Sequence, residues 1–295
     1  MRRFVAVVVR TAAFAAIGLI VLAPAHASSR QGQQKMALVT VVADGSGPIR
    51  DLTAKDFIVT EDGQKQEVVA AALADNPLSI ALLVDTTQPS VGTTPPVQDL
   101  RSALNAFVKM VQAQNAGARF GLWEFGGVSV GRVPFGGKPG DLETAIGRLY
   151  PNQQGQAVLL EALVDAGKQL ATQPAPRRAI VSVDFNTKEG SAERTMKTAV
   201  DEVHNAGATL WSVSIRGSVV TTPSREEVLN KMVEANGGLR LMPVDVTGLD
   251  PNMKIVANSL ASQYTVTFTR KGGTPKATKF ETTRGAKVQM TPWMR

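Results

Sequence analysis

Ser79-Ile-Ala-Leu-Leu-Val-Asp85 sets the reading of the whole chain. The apolar residues follow one another without alternation, as in a strand covered on both faces, and the run stops on an aspartate. A second run of the same kind, Arg178-Ala-Ile-Val-Ser-Val-Asp184, stops the same way. Segments with helical spacing lie between and beyond these runs. Val97, Leu100, Leu104, Phe107 and Val111 fall on one face of a helix. Two more helices are predicted over about 141–149 and 157–171, the second with Leu159, Leu163, Ala166 and Leu170 on one side. Met196, Ala199, Val200 and Val203 define another. Ser224-Arg-Glu-Glu227 has the form of a capping box, opening a helix that Gly237-Gly238 stops. Asp250-Pro251 is predicted to cap a last helix running to about Ala261, with proline at its first position. Arg119–Phe125, Thr209–Ile215 and a short stretch at Leu239–Met242 read as the remaining strands.

Buried strands alternating with amphipathic helices imply a doubly wound, mostly parallel α/β sheet. Gly126-Gly127 joins Arg119–Phe125 to Val128–Val133, and so short a link forces that pair to be antiparallel, giving one antiparallel edge strand. In such sheets ligands bind where the carboxyl ends of the strands emerge. Asp85 and Asp184 stand at two such ends.

N-terminal to this region the chain changes character. Ala37–Ala43 is β-branched, and Phe57–Thr60 and Gln66–Ala70 flank the turn signal Asp62-Gly63, which predicts a hairpin. A small β module over 36–76 is therefore expected, ending near Asn76-Pro77. Gln263–Thr269 and Lys279–Met290 read as two closing β segments around Gly272-Gly273. The start of the chain carries an export signal: Arg2 and Arg3, an apolar stretch from Ala12 to Ala23, then Pro24 and the small-x-small site Ala25-His26-Ala27. The expected organisation is a signal peptide 1–27, a polar leader 28–35, the β module 36–76, the α/β domain 77–270, and a closing segment with a basic tail 271–295.

Export changes what composition means. Cleavage removes Arg2, Arg3 and Arg10 and no acid, so the formal charge falls from +7 to +4. That modest excess does not argue for nucleic acid, and an exported protein does not meet it. No cysteine is present, which excludes disulfides, thiolate catalysis and cysteine-held zinc. No further long apolar run follows the signal, so no membrane span is expected after cleavage, and the destination is the periplasm or the exterior.

With these motifs in order, the chain resembles the von Willebrand factor type A domain, and in particular the exported bacterial von Willebrand-A-related proteins of acidobacterial type. The resemblance rests on Asp44–Gln66, Leu82-Leu-Val-Asp-Thr-Thr87, Gly155–Leu163, Ile180-Val-Ser-Val-Asp184 and Gln263–Phe268. It implies a Rossmann-like fold and a metal site built from Asp-x-Ser-x-Ser on the first loop, a distant Thr and a distant Asp. Here Asp85, Thr87 and Asp184 match ligand positions, Pro89 replaces the second Ser, and Ala157 stands where the Thr belongs. Mg²⁺ or another divalent cation demands near-ideal oxygen geometry, so the motif is incomplete. Ser90 or Gln156 could substitute. Two readings stand side by side: a weak metal site of Asp85, Thr87 and Asp184, or strand-end residues that only cap loops.

The resemblance implies a non-enzymatic adhesion module that binds a protein or other ligand through the loops over 86–96, 152–157 and 185–191, with Gln88, Ser90, Gln156 and Asn186 among the contact residues. The alternative is a metal-independent structural component of a cell-envelope assembly. A serine hydrolase is the third reading. Gly127-Val-Ser-Val-Gly131 matches a nucleophile-elbow pattern, with Asp184 and His204 following in chain order. That motif needs strand, sharp turn and helix, whereas Ser129 falls inside an alternating strand. Trp123 and Trp211 lie in predicted strands and read as core.

Overall fold

A computed structural model describes residues 32–42, 49–87, 97–138, 140–151, 155–185, 187–192, 195–216 and 223–294. The export signal and leader residues 28–31 lie outside the described residues, as do Gln88, Pro89, Ser90 and Asn186, whereas Gln33–Lys35, expected in the leader, open the first strand and pair with Phe268–Arg270.

The two apolar runs become neighbouring central strands. β1 (Gln33–Val42), β2 (Phe57–Glu61) and β3 (Gln64–Leu73) precede β4 (Leu78–Val84). Then follow α1 (Val97–Gln114), β5 (Arg119–Glu124), β6 (Val130–Val133), α2 (Asp141–Arg148), α3 (Leu159–Ala171) and β7 (Arg177–Asp184). α4 (Thr195–Asn205), β8 (Ala208–Ser214), α5 (Pro223–Ala235), β9 (Arg240–Leu241) and α6 (Leu249–Ala261) complete the alternating part. One sheet has the order β6-β5-β4-β7-β8-β9, all parallel except β6, which runs antiparallel to β5 at the edge. The connection between β5 and β6 runs over 125–129 and is longer than the Gly-Gly pair alone: Phe125 is buried in the core, and Val128 and Ser129, expected in the strand, precede it.

Side-chain alternation divides the core between the sheet's two faces. Leu78, Ile80, Leu82 and Val84 point toward α1, α2 and α6, with Trp211, Val213 and Val183. Ala81, Leu83, Ile180 and Leu210 point toward α3, α4 and α5, where Leu159, Leu163, Val203, Val228 and Met232 receive them. Both faces are apolar and covered, which is why these strands read as unbroken hydrophobic runs.

The second sheet departs from the expected organisation. β10 (Gln263–Arg270), β11 (Thr278–Thr282) and β12 (Lys287–Met294) join β1, β2 and β3 in one antiparallel sheet of order β11-β2-β3-β10-β1-β12. The N-terminal module and the closing segments are thus one layer, and β10 belongs to it although its sequence lies inside the range expected for the α/β domain. The second closing segment is also two strands, split by a turn in which Gly285 has φ +74°. The predicted hairpin is present, with Asp62 and Gly63 both at positive φ (48° and 80°), as a tight turn requires. This sheet has its own core of Val39, Phe57, Val59, Tyr264, Val266 and Phe268.

Arg177 ties the two sheets together. It is the first residue of β7 and is buried, and it donates to the carbonyls of Ala74 (2.7 Å), Asn76 (3.3 Å) and Leu260 (2.6 Å) and to Gln263 Oε1 (3.0 Å). Burial lowers its pKa to about 10, still well above neutrality, so the guanidinium stays charged and satisfied by carbonyl dipoles. The last helix begins two residues earlier than its proline suggested: Leu249 is its first residue and Pro251 its third, where a missing N–H is equally harmless.

Candidate functional site

Register brings the two aspartates together. β4 and β7 are parallel with Val84 opposite Val183, so the next residues, Asp85 and Asp184, emerge side by side at the carboxyl end of the sheet. Asp184 in turn lies opposite Ser214 of β8. Val183 and Val213 face α1, α2 and α6, so the period of two turns Asp184, Ser212 and Ser214 toward α5.

Both carboxylates are engaged by protein groups. Asp85 Oδ1 accepts from Thr87 N (2.8 Å) and Thr87 Oγ1 (2.5 Å), and its Oδ2 accepts from Phe185 N (3.2 Å) and Thr187 Oγ1 (3.2 Å). The two threonine hydroxyl oxygens also lie 2.9 Å apart, and with one proton each they can bond each other only in place of one bond to Asp85. Asp184 Oδ2 accepts from Ser214 Oγ (2.8 Å) and Ser212 Oγ (3.4 Å), while Oδ1 meets Arg225 Nη2 at 2.9 Å. Arg225 Nη1 donates to the carbonyl of Thr187 at 2.8 Å. Asp85, Asp184 and Arg225 are all 0% exposed.

A third acid completes the neighbourhood. Glu189 accepts from Leu159 N (3.3 Å), at the start of α3, and from Ser191 N (3.2 Å). The loop carrying it is stitched to the neighbouring loop by Ala157, which donates to the Lys188 carbonyl at 2.9 Å and accepts from Gly190 N. Gly126 bridges Ala157 from the other side. Burial pushes the Asp85 carboxyl up against the pull of Arg225 and Thr87, and it pushes Glu189 up against Ser191 and Arg225. Burial alone would lower the Arg225 guanidinium, but Asp184, Asp85, Glu189 and Glu226 outweigh it and hold it above its ordinary value.

Of the residues expected at the site, Asp85, Thr87 and Asp184 converge. Gln156 is exposed on the rim, and Gln88, Ser90 and Asn186 lie outside the described residues. Ala157 is fully buried, and its methyl supplies no oxygen where the resemblance places a threonine. The donors present do not fit a divalent ion in this arrangement. A hard cation needs oxygens free to point at it, and here each carboxylate oxygen already faces N–H, O–H or a guanidinium. Among the described residues, no three His, Cys, Asp or Glu side chains are grouped so as to hold an ion.

Arg225, Thr187, Glu189, Ser212 and Ser214 are not expected at the site from the sequence; Arg225 stands inside Ser224–Glu227, which reads as a helix start. A signal was nevertheless present. Val228, Leu229, Met232 and Val233 form the buried stripe of α5, and Arg225 lies three, four, seven and eight residues before them on the same face.

The triad suggested by the nucleophile-elbow pattern is not assembled. Ser129 Oγ donates to Asp165 Oδ2 at 2.6 Å, whereas Asp184 is engaged by Arg225, Ser212 and Ser214. His204 lies in the last turn of α4, and Ser129 leads into strand β6 rather than a helix. Trp123 and Trp211 are core residues, as expected.

No family model matches this chain, and no curated protein matches it. Solved structures do. A von Willebrand factor type A protein from Catenulispora acidiphila matches at 12% identity with a TM-score of 0.50, over 90% of this chain and 74% of its own. The PilB minor pilin from Streptococcus sanguinis matches at 10% identity with a TM-score of 0.51, over 78% of this chain and 88% of its own. Proximal thread matrix protein 1 from the mussel byssus, in a form with a zinc-occupied MIDAS motif, matches at 14% identity with a TM-score of 0.50 over 71% of this chain. The present chain spans half the length of that mussel protein. These likenesses show the fold: the alternating sheet is von Willebrand-A-like.

Proposed function

We propose that this chain is an exported, non-enzymatic interaction module that recognises a protein through the loops at the carboxyl end of its parallel sheet. One observation carries the reading. Buried carboxylates fix the rim of that end from beneath, Asp85 holding the backbone N–H groups of Thr87 and Phe185, and Glu189 those of Leu159 and Ser191. Among the described residues, the bases of these loops are thus held in place by internal bonds, and fixing a loop's ends lowers the ordering cost of binding. The solved relatives of this fold include a matrix protein and a pilin, which is consistent with contact between proteins. Export rests on Arg2, Arg3, the Ala12–Ala23 stretch and Ala25-His26-Ala27.

The test is partner capture from envelope extract, comparing wild type with Gln156→Arg and Lys188→Glu, both exposed on the rim, and with Lys271→Glu at the other sheet as control. Capture lost in the rim variants and kept in the control supports recognition by this surface. Capture unchanged in the rim variants and lost in the control moves the interface to the antiparallel sheet and favours the structural-component reading.

A further inference from the structure

The strand-end site contains two adjacent buried carboxylates, two threonine hydroxyls 2.9 Å apart and a guanidinium. We propose that Arg225 is the resident cation of this site, occupying with its side chain the place that a divalent ion takes in a metal-loaded von Willebrand A domain. Three observations carry the assignment.

The first is position. Arg225 reaches Asp184 Oδ1 at 2.9 Å and the Thr187 carbonyl at 2.8 Å, so it bridges β7 and the loop that closes over Asp85. Thr187 connects this bridge to Asp85 and Thr87 through its hydroxyl. The guanidinium thus contacts Asp184 directly and is joined to Asp85 and Thr87 through Thr187.

The second is the cost of placing a cation there. Arg225 is the third residue of α5, where the helix dipole opposes positive charge. It is also 0% exposed, and a buried arginine without an acidic partner is strongly disfavoured. Neither the helix nor the core accounts for it. The cluster of Asp184, Asp85 and Glu189 does.

The third is what the rest of the site lacks. Ala157 provides no oxygen, and the oxygens of Asp85 and Asp184 are taken up by internal donors. Charge neutralisation is thereby supplied in cis. A partner's carboxylate has no ion to complete, so recognition at this rim depends on loop shape and polar groups and does not respond to chelators.

Metal response tests the assignment with the full mature chain. Wild type is titrated calorimetrically with MgCl₂ and MnCl₂ and melted with EDTA or with roughly 10 mM MnCl₂. The expected result is no saturable binding tighter than millimolar and a Tm within about 1 °C across conditions. Arg225→Met removes the charge and leaves the oxygens, so it should melt lower than wild type and regain several degrees in Mn²⁺, an effect abolished by adding Asp184→Asn. Arg225→Lys keeps a cation and should stay insensitive to Mn²⁺. Sub-millimolar Mn²⁺ binding by wild type, lost in Asp184→Asn, overturns the assignment. So does an Arg225→Met protein that folds and ignores Mn²⁺. If Arg225→Met does not fold, the wild-type titration and the Arg225→Lys melt decide by themselves.

Discussion

Asp85→Asn separates a carboxylate that ligates from one that holds backbone. The substitution is nearly isosteric, so no cavity opens and the change is confined to hydrogen bonding. Asp85 now accepts four bonds, two on each oxygen, from Thr87 N and Oγ1 and from Phe185 N and Thr187 Oγ1. An amide offers one oxygen and one NH₂. With NH₂ at the first position it faces the Thr87 N–H, and at the second it faces the Phe185 N–H. The threonine hydroxyls can rotate to accept, but a backbone N–H cannot. Either orientation therefore leaves one buried N–H without an acceptor, costing about 1–3 kcal/mol. The bonds that remain lose their ionic character and weaken, adding about 1–2 kcal/mol. Against this, the neutral amide relieves the burial that pushes the Asp85 carboxyl upward. The balance is a loss of about 2–4 kcal/mol. At this chain length that corresponds to a Tm lowered by roughly 5–12 °C. Thermal melting followed by circular dichroism measures it, with the exposed Asp201→Asn as a control expected to stay within about 0.5 kcal/mol of wild type. A Tm for Asp85→Asn within about 1 °C of wild type would refute the reasoning, because the four bonds would then contribute nothing net.

The second sheet offers its own tests. Glu61 on β2 and Arg270 on β10 form a buried pair, with Nε to Oε1 at 2.9 Å and Nη2 to Oε1 at 2.5 Å, so Glu61→Ala should cost about 3–5 kcal/mol in urea unfolding by removing the carboxylate of a buried ion pair. That unfolding should remain a single transition, since β2 and β10 come from opposite ends of the chain; a separate early transition for the antiparallel sheet would contradict one cooperative layer. Gly238→Ala places a methyl carbon 1.6 Å from the Leu210 carbonyl oxygen, and the displacement of α5 from β8 should cost about 3 kcal/mol or more, seen as a lower denaturation midpoint at unchanged m-value. Arg240 lowers the pKa of Glu226 through hydrogen bonds of 2.7 and 2.8 Å, so the pair stabilises the fold above the ordinary glutamate range and loses that contribution as pH falls through the lowered value. Arg240→Met should therefore narrow its stability gap to wild type in acid; a gap constant from pH 7 to about pH 3 would contradict the linkage.

The sequence showed the central sheet because each of its strands reports its own burial. Ile80–Val84 and Ala179–Val183 are apolar on both faces, and no long-range information is needed to see it. The antiparallel layer was harder, since its existence depends on pairing β1 with β10 and β12, residues separated by most of the chain. Local patterns predict that these are strands and say nothing about which strands they meet. The turn at Gly285 was likewise hidden inside one continuous β-rich stretch.

The candidate site follows the same division. Asp85 and Asp184 were visible because a polar residue ends an apolar run, but their partners come from β8, α5 and the loop at Thr187. Arg225 shows where a sharper rule was available. Its neighbours in sequence, Ser224, Glu226 and Glu227, match a helix start, and that pattern absorbed it. The helical period places it instead one turn ahead of Val228, Leu229, Met232 and Val233, on the face that must be buried. A cation on such a face requires an acid opposite it, and the acids that end the apolar strands, Asp85 and Asp184, stand nearest the core. With Arg225 as the resident cation proposed above, the missing side-chain oxygen at Ala157 and the buried charge at Arg225 have one explanation, in which the chain itself supplies the positive charge beside Asp184.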